Sequence, residues 1–419
     1  MTDGQIRALI FDYGGVLRRT ADPRPRRAIE RRFDLERGEA EQAVFGHPMW
    51  DQVQQGKVSS EAFWINVGDR LQLNEEEMSE FRAAFWAGNR LDKPLLALIR
   101  HLRSEGYKTA LLSNAPASLR PHLAELGIAD AFDEIVISAE EGMSKPDVEI
   151  YERTLEQLGV PAAQTVFVDD WGENVTGARQ VDLHAFRFRG LAPLRRQLRE
   201  LGVAVPEPTV DPVPDVQAVI FDWGGVMEPL PDDEHAAEWE RRLGLAAGAI
   251  PAALWGETWR ELAVGAIGND TYIERVADQL GFPDAAAADR FTRSFYGDGR
   301  IHTPVVEAAA ALRERYQVAL LSNAWPGQDQ WIREQFDIDV RSAFDLYVNS
   351  AEVGMRKPDP DIFVLTLERL SVEPGQAVFV DDLLPNVDAA TELGVHAIQF
   401  VDPDTSLATL EAMLGHPIH

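Results

Sequence analysis

The chain carries acidic, lysine and hydroxyl residues whose types and order suit chemistry at phosphorus. The aspartate Asp12 is followed along the chain by Ser113, Lys145 and the acidic pair Asp169-Asp170. A carboxylate can attack phosphorus, a hydroxyl can hold phosphoryl oxygens, and a lysine can neutralise developing charge. Paired carboxylates supply the oxygen ligands that Mg²⁺ prefers. These residue types therefore indicate a Mg²⁺-assisted reaction of a phosphate ester or anhydride.

Each of these residues lies in a short motif that occurs twice. The motifs are FDxGGV, Ser-Asn, KPD and FVDDxxxN, and the two copies are offset by 209 to 212 residues. The first copy holds Asp12, Ser113, Asn114, Lys145, Asp169, Asp170 and Asn174, and the second holds Asp222, Ser322, Asn323, Lys357, Asp381, Asp382 and Asn386. Any one motif is more typical of a turn, a helix cap or a loop. Four motifs in one order, written twice, indicate a duplicated functional domain.

Short apolar runs alternate with helical patterns in each half. In the first half the runs are ALIF at 8–11, TALLS at 109–113, EIVIS at 134–138, TVFV at 165–168 and HAFRF at 184–188. Such alternation predicts an α/β fold with a doubly wound parallel sheet, whose ligand crevice lies at the carboxyl ends of the strands. Because Asp12, Ser113 and Asp169 each end a run or directly follow one, we expect them to converge there. Their counterparts in the second half should do the same.

The segments between the first two strands of each half, about residues 18–95 and 228–302, have helical patterns. We predict that each is a helical cap inserted over the crevice. Six tryptophans lie in these caps: Trp50, Trp64, Trp86, Trp239, Trp255 and Trp259. Two interpretations remain open, namely the core of a small helical bundle and an apolar substrate pocket.

The duplication sets the predicted domain boundaries. Domain 1 covers residues 1–205 and domain 2 covers residues 216–419. Between them, the stretch PEPTVDPVPD at 206–215 contains four prolines and three acids. This composition favours an extended linker.

Composition excludes several classes of function. With 40 basic and 69 acidic residues, the formal net charge is −29, which disfavours nucleic acid as a partner. The absence of cysteine excludes disulfides, thiolate metal sites and cysteine nucleophiles. The N-terminus lacks a secretory pattern, and the longest uncharged apolar segment, 243–256, is too short to span a bilayer. We expect a cytoplasmic protein without a membrane span, and the oligomeric state stays open.

The four motifs resemble those of the haloacid dehalogenase-like superfamily, which carries them in this order on a Rossmann-like core. The cap between the first two motifs is also similar. The FDxGGV and FVDDxxxN forms resemble the N-terminal phosphatase domains of soluble epoxide hydrolases and their bacterial relatives. The resemblance covers nearly the whole chain apart from the linker and the tails, and it implies two Rossmann-like domains in tandem.

The resemblance also implies a role for each motif residue. The nucleophiles that would form a phosphoaspartate are Asp12 and Asp222. The groups that would bind and stabilise the phosphoryl group are Ser113, Asn114, Ser322 and Asn323, with Lys145 and Lys357. The Mg²⁺ ligands and their supports would be Asp12, Gly14, Asp169, Asp170 and Asn174 in the first half, and Asp222, Gly224, Asp381, Asp382 and Asn386 in the second.

Both halves depart from the family pattern at one position. Most family phosphatases have an acid two residues after the nucleophile, which protonates the leaving oxygen and offers its backbone carbonyl to Mg²⁺. Gly14 and Gly224 keep the carbonyl but have no proton to give. Three explanations stay open. The leaving group needs no proton, as in a phosphoanhydride or an anomeric or allylic phosphate; the cap supplies an acid; or catalysis has been lost.

Three functions follow from these observations. The first is a Mg²⁺-dependent phosphatase acting on a small phosphate or diphosphate with a good leaving group. The second is a reaction of a prenyl diphosphate, either hydrolysis or cyclisation, which rests on the missing acid and the aromatic caps. The third is a non-catalytic module that binds a phospho-ligand. Dehalogenation is disfavoured because it would not require the apparent Mg²⁺ ligands.

Overall fold

The computed structural model describes residues 5–206, 210–297 and 299–418. The chain forms two compact units, Met1–Pro208 and Thr209–His419. The division falls inside the segment predicted as a linker. Part of that segment packs, because the Val213 N–H donates to the Met413 carbonyl at 2.7 Å in the last helix of the second unit.

The first unit is built on a five-stranded parallel sheet of order β5-β4-β1-β6-β7. Its strands are β1 (Ala8–Phe11), β4 (Lys108–Ser113), β5 (Glu134–Ile137), β6 (Thr165–Asp169) and β7 (His184–Arg187). A separate antiparallel ribbon pairs β2 (Arg18–Thr20) with β3 (Asn89–Leu91). The helices are α1 (Arg24–Arg32), α2 (Glu39–Phe45), α3 (Trp50–Gln54), α4 (Ser60–Leu71), α5 (Glu75–Ala87), α6 (Lys93–Ser104), α7 (Leu119–Glu125), α8 (Ser138–Glu141), α9 (Val148–Leu158), α10 (Gly172–Arg179) and α11 (Leu191–Glu200).

The second unit repeats this order as β10-β9-β8-β11-β12. Its strands are β8 (Ala218–Phe221), β9 (Gln317–Ser322), β10 (Leu346–Asn349), β11 (Ala377–Asp381) and β12 (His396–Gln399). The helices are α12 (Asp233–Leu243), α13 (Ala249–Trp255), α14 (Glu257–Leu262), α15 (Asn269–Leu280), α16 (Ala285–Tyr296), α17 (Thr303–Leu312), α18 (Gln328–Phe336), α19 (Val340–Ala343), α20 (Ser350–Val353), α21 (Pro360–Leu370), α22 (Leu384–Glu392) and α23 (Pro403–Leu414).

The central strands are apolar on both faces because helices cover both faces of each sheet. Every residue of β1 and β8 is buried. Alternate residues of β8 enter different clusters, with Phe221 in one and Ile220 in the other. Continuous apolar runs of this kind are what a parallel sheet requires. The predicted α/β fold is confirmed in both halves.

The inserted segments form small helical bundles with their own aromatic cores. The first contains α1–α5 and the second α12–α16. Trp64 is buried in the first, and the five other cap tryptophans pack at the margins of the two cores. All six therefore pack within or against the bundle cores, and Trp259 also contacts Trp325 outside the cap. No helix in the described ranges is long and apolar enough to cross a bilayer.

Candidate active site

Three neighbouring strands bring the predicted residues of the first unit together. β1 lies between β4 and β6, so the positions at its carboxyl end are flanked by the ends of both neighbours. The N–H of Asp12 donates to the Val168 carbonyl at 2.9 Å, which fixes the start of the loop after β1. Ser113 ends β4 and Asp169 ends β6, and both side chains are buried. The three strand ends thus converge as expected from the sequence.

Lys145 joins two of these strand ends. Its Nζ lies 2.8 Å from Oδ1 of Asp12 and 2.6 Å from Oδ2 of Asp169, and it donates to the Leu112 carbonyl at 3.0 Å. All three ammonium protons therefore have acceptors. Burial opposes the charge of Lys145, but the two carboxylates outweigh it and raise the lysine pKa above its usual value. The site thus holds a buried, permanent positive charge beside Asp12.

Asp169 is held from several directions. Its Oδ1 accepts the Trp171 N–H at 2.8 Å, and the Asn174 amide donates to both carboxylate oxygens at 3.0 and 3.1 Å. Asn174 lies in the first turn of α10, so this helix also ties the loop to the sheet. Asp169 therefore positions Lys145 and the loop that carries Asp170.

Asn114 has a structural role that the sequence did not reveal. Its side-chain oxygen accepts the Lys145 backbone N–H at 2.9 Å, and its amide donates to the Lys145 carbonyl at 2.8 Å. Both ends of the side chain hold the lysine loop. Only the backbone N–H of Asn114 would then be available to contact a phosphoryl group. The predicted role of Ser113 in binding that group is unaffected.

The second unit reproduces this geometry closely. Lys357 Nζ lies 2.8 Å from Asp222 Oδ1 and 2.7 Å from Asp381 Oδ2. Asn386 donates to both oxygens of Asp381 at 2.9 and 3.1 Å, and Asn323 pairs with both backbone groups of Lys357 at 2.8 and 2.9 Å. Ser322 ends β9 and is buried. The motif residues of the two halves therefore have the same arrangement.

The acidic residues fit a hard divalent cation. One oxygen from each of Asp12, Asp169 and Asp170 lies within 4.8 Å of the others, as do those of Asp222, Asp381 and Asp382. Carboxylate oxygens without nitrogen or sulfur donors are the ligands of Mg²⁺ or Ca²⁺.

The glycine after Gly14 leaves room for this acidic group. Gly15 has φ of +81°, and a Cβ placed there would lie 2.1 Å from Oδ2 of Asp170. Gly225 meets Asp382 in the same way, at 2.3 Å from Cγ. Only glycine permits these close approaches.

The electrostatics of each site also favour a cation. Burial raises the pKa of Asp12 to about 7 against the attraction of Lys145, and Asp169 and Asp170 add to the rise. Burial and then Asp169 raise the pKa of Asp170 to about 6. Burial likewise raises the pKa of Asp222 to about 7 and that of Asp382 well above its usual value. Two buried carboxylates and one partly buried carboxylate beside one lysine leave an excess of negative charge that a divalent ion would offset.

Gly14 and Gly224 are not strained positions. Neither has a positive φ, in contrast to their neighbours Gly15 and Gly225. Nothing lies within 4 Å of a Cβ added at Gly14, whereas one added at Gly224 would lie 3.2 Å from Cδ1 of Leu230. The two halves therefore differ at the position of the missing acid, which the near-identical motifs do not indicate.

Comparison with known proteins assigns the family. The haloacid dehalogenase-like hydrolase family matches residues 6–182 and 216–394. The chain belongs to this family. It is therefore a haloacid dehalogenase-like hydrolase with two copies of the domain, as its motifs indicated.

Two relatives of this hydrolase are named as phosphatases. A sesquiterpene phosphatase of Aspergillus oryzae is 32% identical over 198 residues, which are 47% of this chain and 96% of the relative. A D-ribitol-5-phosphate phosphatase of Bacteroides thetaiotaomicron is 27% identical over 192 residues, covering 44% and 91%. Acyl-CoA dehydrogenase family member 10 of mouse is 34% identical over 212 residues, covering 48% of this chain and only 20% of the mouse protein.

Solved structures include a HAD family enzyme of Bacteroides thetaiotaomicron in a magnesium complex. It is 25% identical, covers 44% of this chain and 93% of its own, and has a TM-score of 0.38.

Proposed function

We propose that the protein is a Mg²⁺-dependent phosphohydrolase with two active sites, which act through phosphoaspartates on Asp12 and Asp222. The substrate is a small organic phosphate or diphosphate whose leaving group needs little protonation. The observation that carries this proposal is the lysine-linked carboxylate cluster, intact in both halves. A module that only binds a phospho-ligand would have no need for a lysine bonded to the nucleophile and an acidic pair beside it in each copy.

The first chemical step is displacement at phosphorus. A carboxylate oxygen of Asp12 attacks the phosphorus atom, and the bond from phosphorus to the leaving oxygen breaks with its electron pair going to that oxygen. Lys145 keeps Asp12 oriented through the contact at 2.8 Å and offers positive charge to the phosphoryl oxygens. Ser113 would donate its hydroxyl to the same group.

The second step releases phosphate. A water molecule attacks the phosphorus of the phosphoaspartate, the bond to the Asp12 oxygen breaks with its electron pair going to that oxygen, and the proton lost by the water passes to solvent. Inorganic phosphate and the free carboxylate result.

Mg²⁺ would be held by Asp12, Asp170 and the Gly14 carbonyl in the first half, with Asp169 and Asn174 as supports. In the second half the corresponding groups are Asp222, Asp382 and Gly224, supported by Asp381 and Asn386. When bound, Mg²⁺ supplies positive charge that offsets the carboxylates and polarises the phosphoryl group.

Phosphate release across a panel of phosphate monoesters and diphosphates tests the proposal. Activity should require Mg²⁺ and stop in EDTA. Asp12→Asn and Asp222→Asn should each leave partial activity and the double variant none, because each half has its own nucleophile. Undiminished turnover in EDTA or in the double variant would refute the proposal. No turnover of any compound by a folded, Mg²⁺-loaded protein would favour the binding module.

A reaction of a prenyl diphosphate is the second candidate. It is supported by a relative named as a sesquiterpene phosphatase and by the contact of Trp259 in the second cap with Trp325 in the loop after β9. Farnesyl diphosphate in the same panel distinguishes the outcomes, because hydrolysis to the monophosphate releases inorganic phosphate and cyclisation gives a changed hydrocarbon skeleton.

A further inference from the structure

The two sites differ where the leaving group would lie. In the family, the position two residues after the nucleophile faces the leaving oxygen, and here it is Gly14 or Gly224. Leu230 lies against Gly224, with Cδ1 3.2 Å from the position of a Cβ, and is 44% exposed. At Gly14 the same space is open. The second site therefore presents an apolar side chain at this point and the first does not.

The β2–β3 ribbon explains this difference. Thr20 is the counterpart of Leu230 at an offset of 210 residues. It lies in β2, where its hydroxyl donates to Asn89 Oδ1 in β3 at 3.0 Å. In the second unit, the described residues around 228–230 form only an isolated bridge between Gly224 and Glu228. Leu230 is thus not held in a ribbon.

The loop that follows the Ser322-Asn323 motif carries a tryptophan that contacts the cap. Trp325 lies two residues after Asn323, in the loop that follows β9. Its ring centroid lies 6.3 Å from that of Trp259 in the cap and 5.6 Å from that of Trp331 in α18. The motif loop and the cap of the second unit are therefore joined by aromatic side chains in edge-to-face contact.

The first unit has no tryptophan at the corresponding places. Pro116 replaces Trp325, and His122 replaces Trp331, both at an offset of 209 residues. His122 Nε2 lies 2.8 Å from an Arg18 guanidinium nitrogen. The cap contact is also polar, because the Gln54 amide donates to the Asn114 carbonyl at 2.9 Å.

We propose that the Asp222 site is selective for diphosphate esters of hydrophobic alcohols, through Leu230 and Trp325, and that the Asp12 site lacks this preference. The inference rests on the proposed phosphohydrolase function. Asp222 would attack the terminal phosphorus, the anhydride bond would break, and the alkyl monophosphate would leave with the electron pair. An alkyl monophosphate is a stable anion and needs no general acid, which agrees with glycine at position 224. Its alkyl chain would lie against the apolar side chains.

The test uses the full chain and a series of n-alkyl diphosphates of four, eight and twelve carbons, below their micelle concentrations. Asp12→Asn reports on the Asp222 site alone, and Asp222→Asn reports on the other. In Asp12→Asn, kcat/KM should rise by about twofold to fourfold for each added CH₂ until the apolar surface is covered. In Asp222→Asn, kcat/KM should stay within about threefold across the series, because the leaving-group side of the Asp12 site is not apolar.

Reciprocal exchanges between Leu230 and its counterpart Thr20 test the role of Leu230. Leu230→Thr in the Asp12→Asn background should flatten the dependence on chain length, and Thr20→Leu in the Asp222→Asn background is the matched control for an added apolar side chain. Equal dependence on chain length in the two single variants, or an unchanged slope in Leu230→Thr, would overturn the inference and leave the phosphohydrolase intact. Failure of both single variants to turn over any diphosphate or aryl phosphate would refute the phosphohydrolase itself.

Discussion

Replacement of Gly14 by aspartate should restore the general acid that the first site lacks. A Cβ at this position meets no atom within 4 Å, and Gly14 does not have a positive φ, so the new side chain costs little strain. The nearby carboxylates Asp12 and Asp170 disfavour its ionised form, so it should hold a proton to donate. General acid catalysis typically contributes about 10²–10⁴-fold, which corresponds to about 3–5 kcal/mol of transition-state stabilisation.

The assay compares an alkyl phosphate with an aryl phosphate in the Asp222→Asn background, so that only the first site reports. We expect Gly14→Asp to raise kcat/KM for the alkyl phosphate by at least ~10²-fold and to change the aryl phosphate little, since the aryl leaving group needs no proton. Gly14→Asn is the control of similar size without an acidic proton. Equal effects of Asp and Asn on both substrates would refute the reasoning.

The second site offers an internal comparison. Leu230 occupies the space beside Gly224, with Cδ1 3.2 Å from the position of a Cβ. Gly224→Asp in the Asp12→Asn background should therefore give a smaller gain on the alkyl phosphate. Adding Leu230→Ala should recover the remainder. A full gain without the leucine change would show that Leu230 does not restrict this position.

Two further predictions concern other residues. Gly15→Ala should lower the activity of the first site by at least ~10²-fold and weaken Mg²⁺ binding measured by calorimetry. The reason is that the alanine Cβ would lie 2.1 Å from Asp170 Oδ2, at a φ of +81°. Gly14→Ala, in open space, is the control and should have a much smaller effect, so equal losses in the two variants would contradict this prediction. Glu228 accepts the Trp223 indole N–H at 2.8 Å, and burial raises its pKa from 4.5 to about 7. Because the unfolded chain ionises this carboxyl from about pH 4.5 while the folded state keeps it protonated to about pH 7, its contribution to stability is lost as pH rises through that window. Glu228→Gln should remove up to about 3 kcal/mol of that loss, measured as a flatter pH dependence of the unfolding midpoint between pH 4.5 and 8; an unchanged pH dependence would show that Glu228 is not buried as an acid.

The strand ends of the site could be predicted because parallel sheets make continuous apolar runs that stop at the crevice. Asp12, Ser113 and Asp169 were placed correctly for this reason. Lys145 follows no such run, since it lies in a loop after α8, so its residue type and the family resemblance associated it with the nucleophile.

The differences between the halves could not be predicted in the same way. The motifs are nearly identical, and the contact between Leu230 and Gly224 depends on whether the neighbouring segment forms a ribbon. The double hydrogen bond from Asn114 to the backbone of Lys145 likewise joins residues 31 positions apart. Composition and periodicity do not indicate which residues of this kind are in contact, because the conformations of the loops determine those contacts.

The lysine network has a consequence for how this protein can change over evolutionary time. In the first unit, the contacts described for Lys145 come from Asp12, Leu112, Asn114 and Asp169, all outside the cap helices. Substitutions among the cap residues can therefore alter which molecules are admitted while the reacting groups stay aligned. A chain with two such units can accumulate these changes in one unit while the other preserves the original substrate range, so a single gene can acquire a second substrate without first losing the old one.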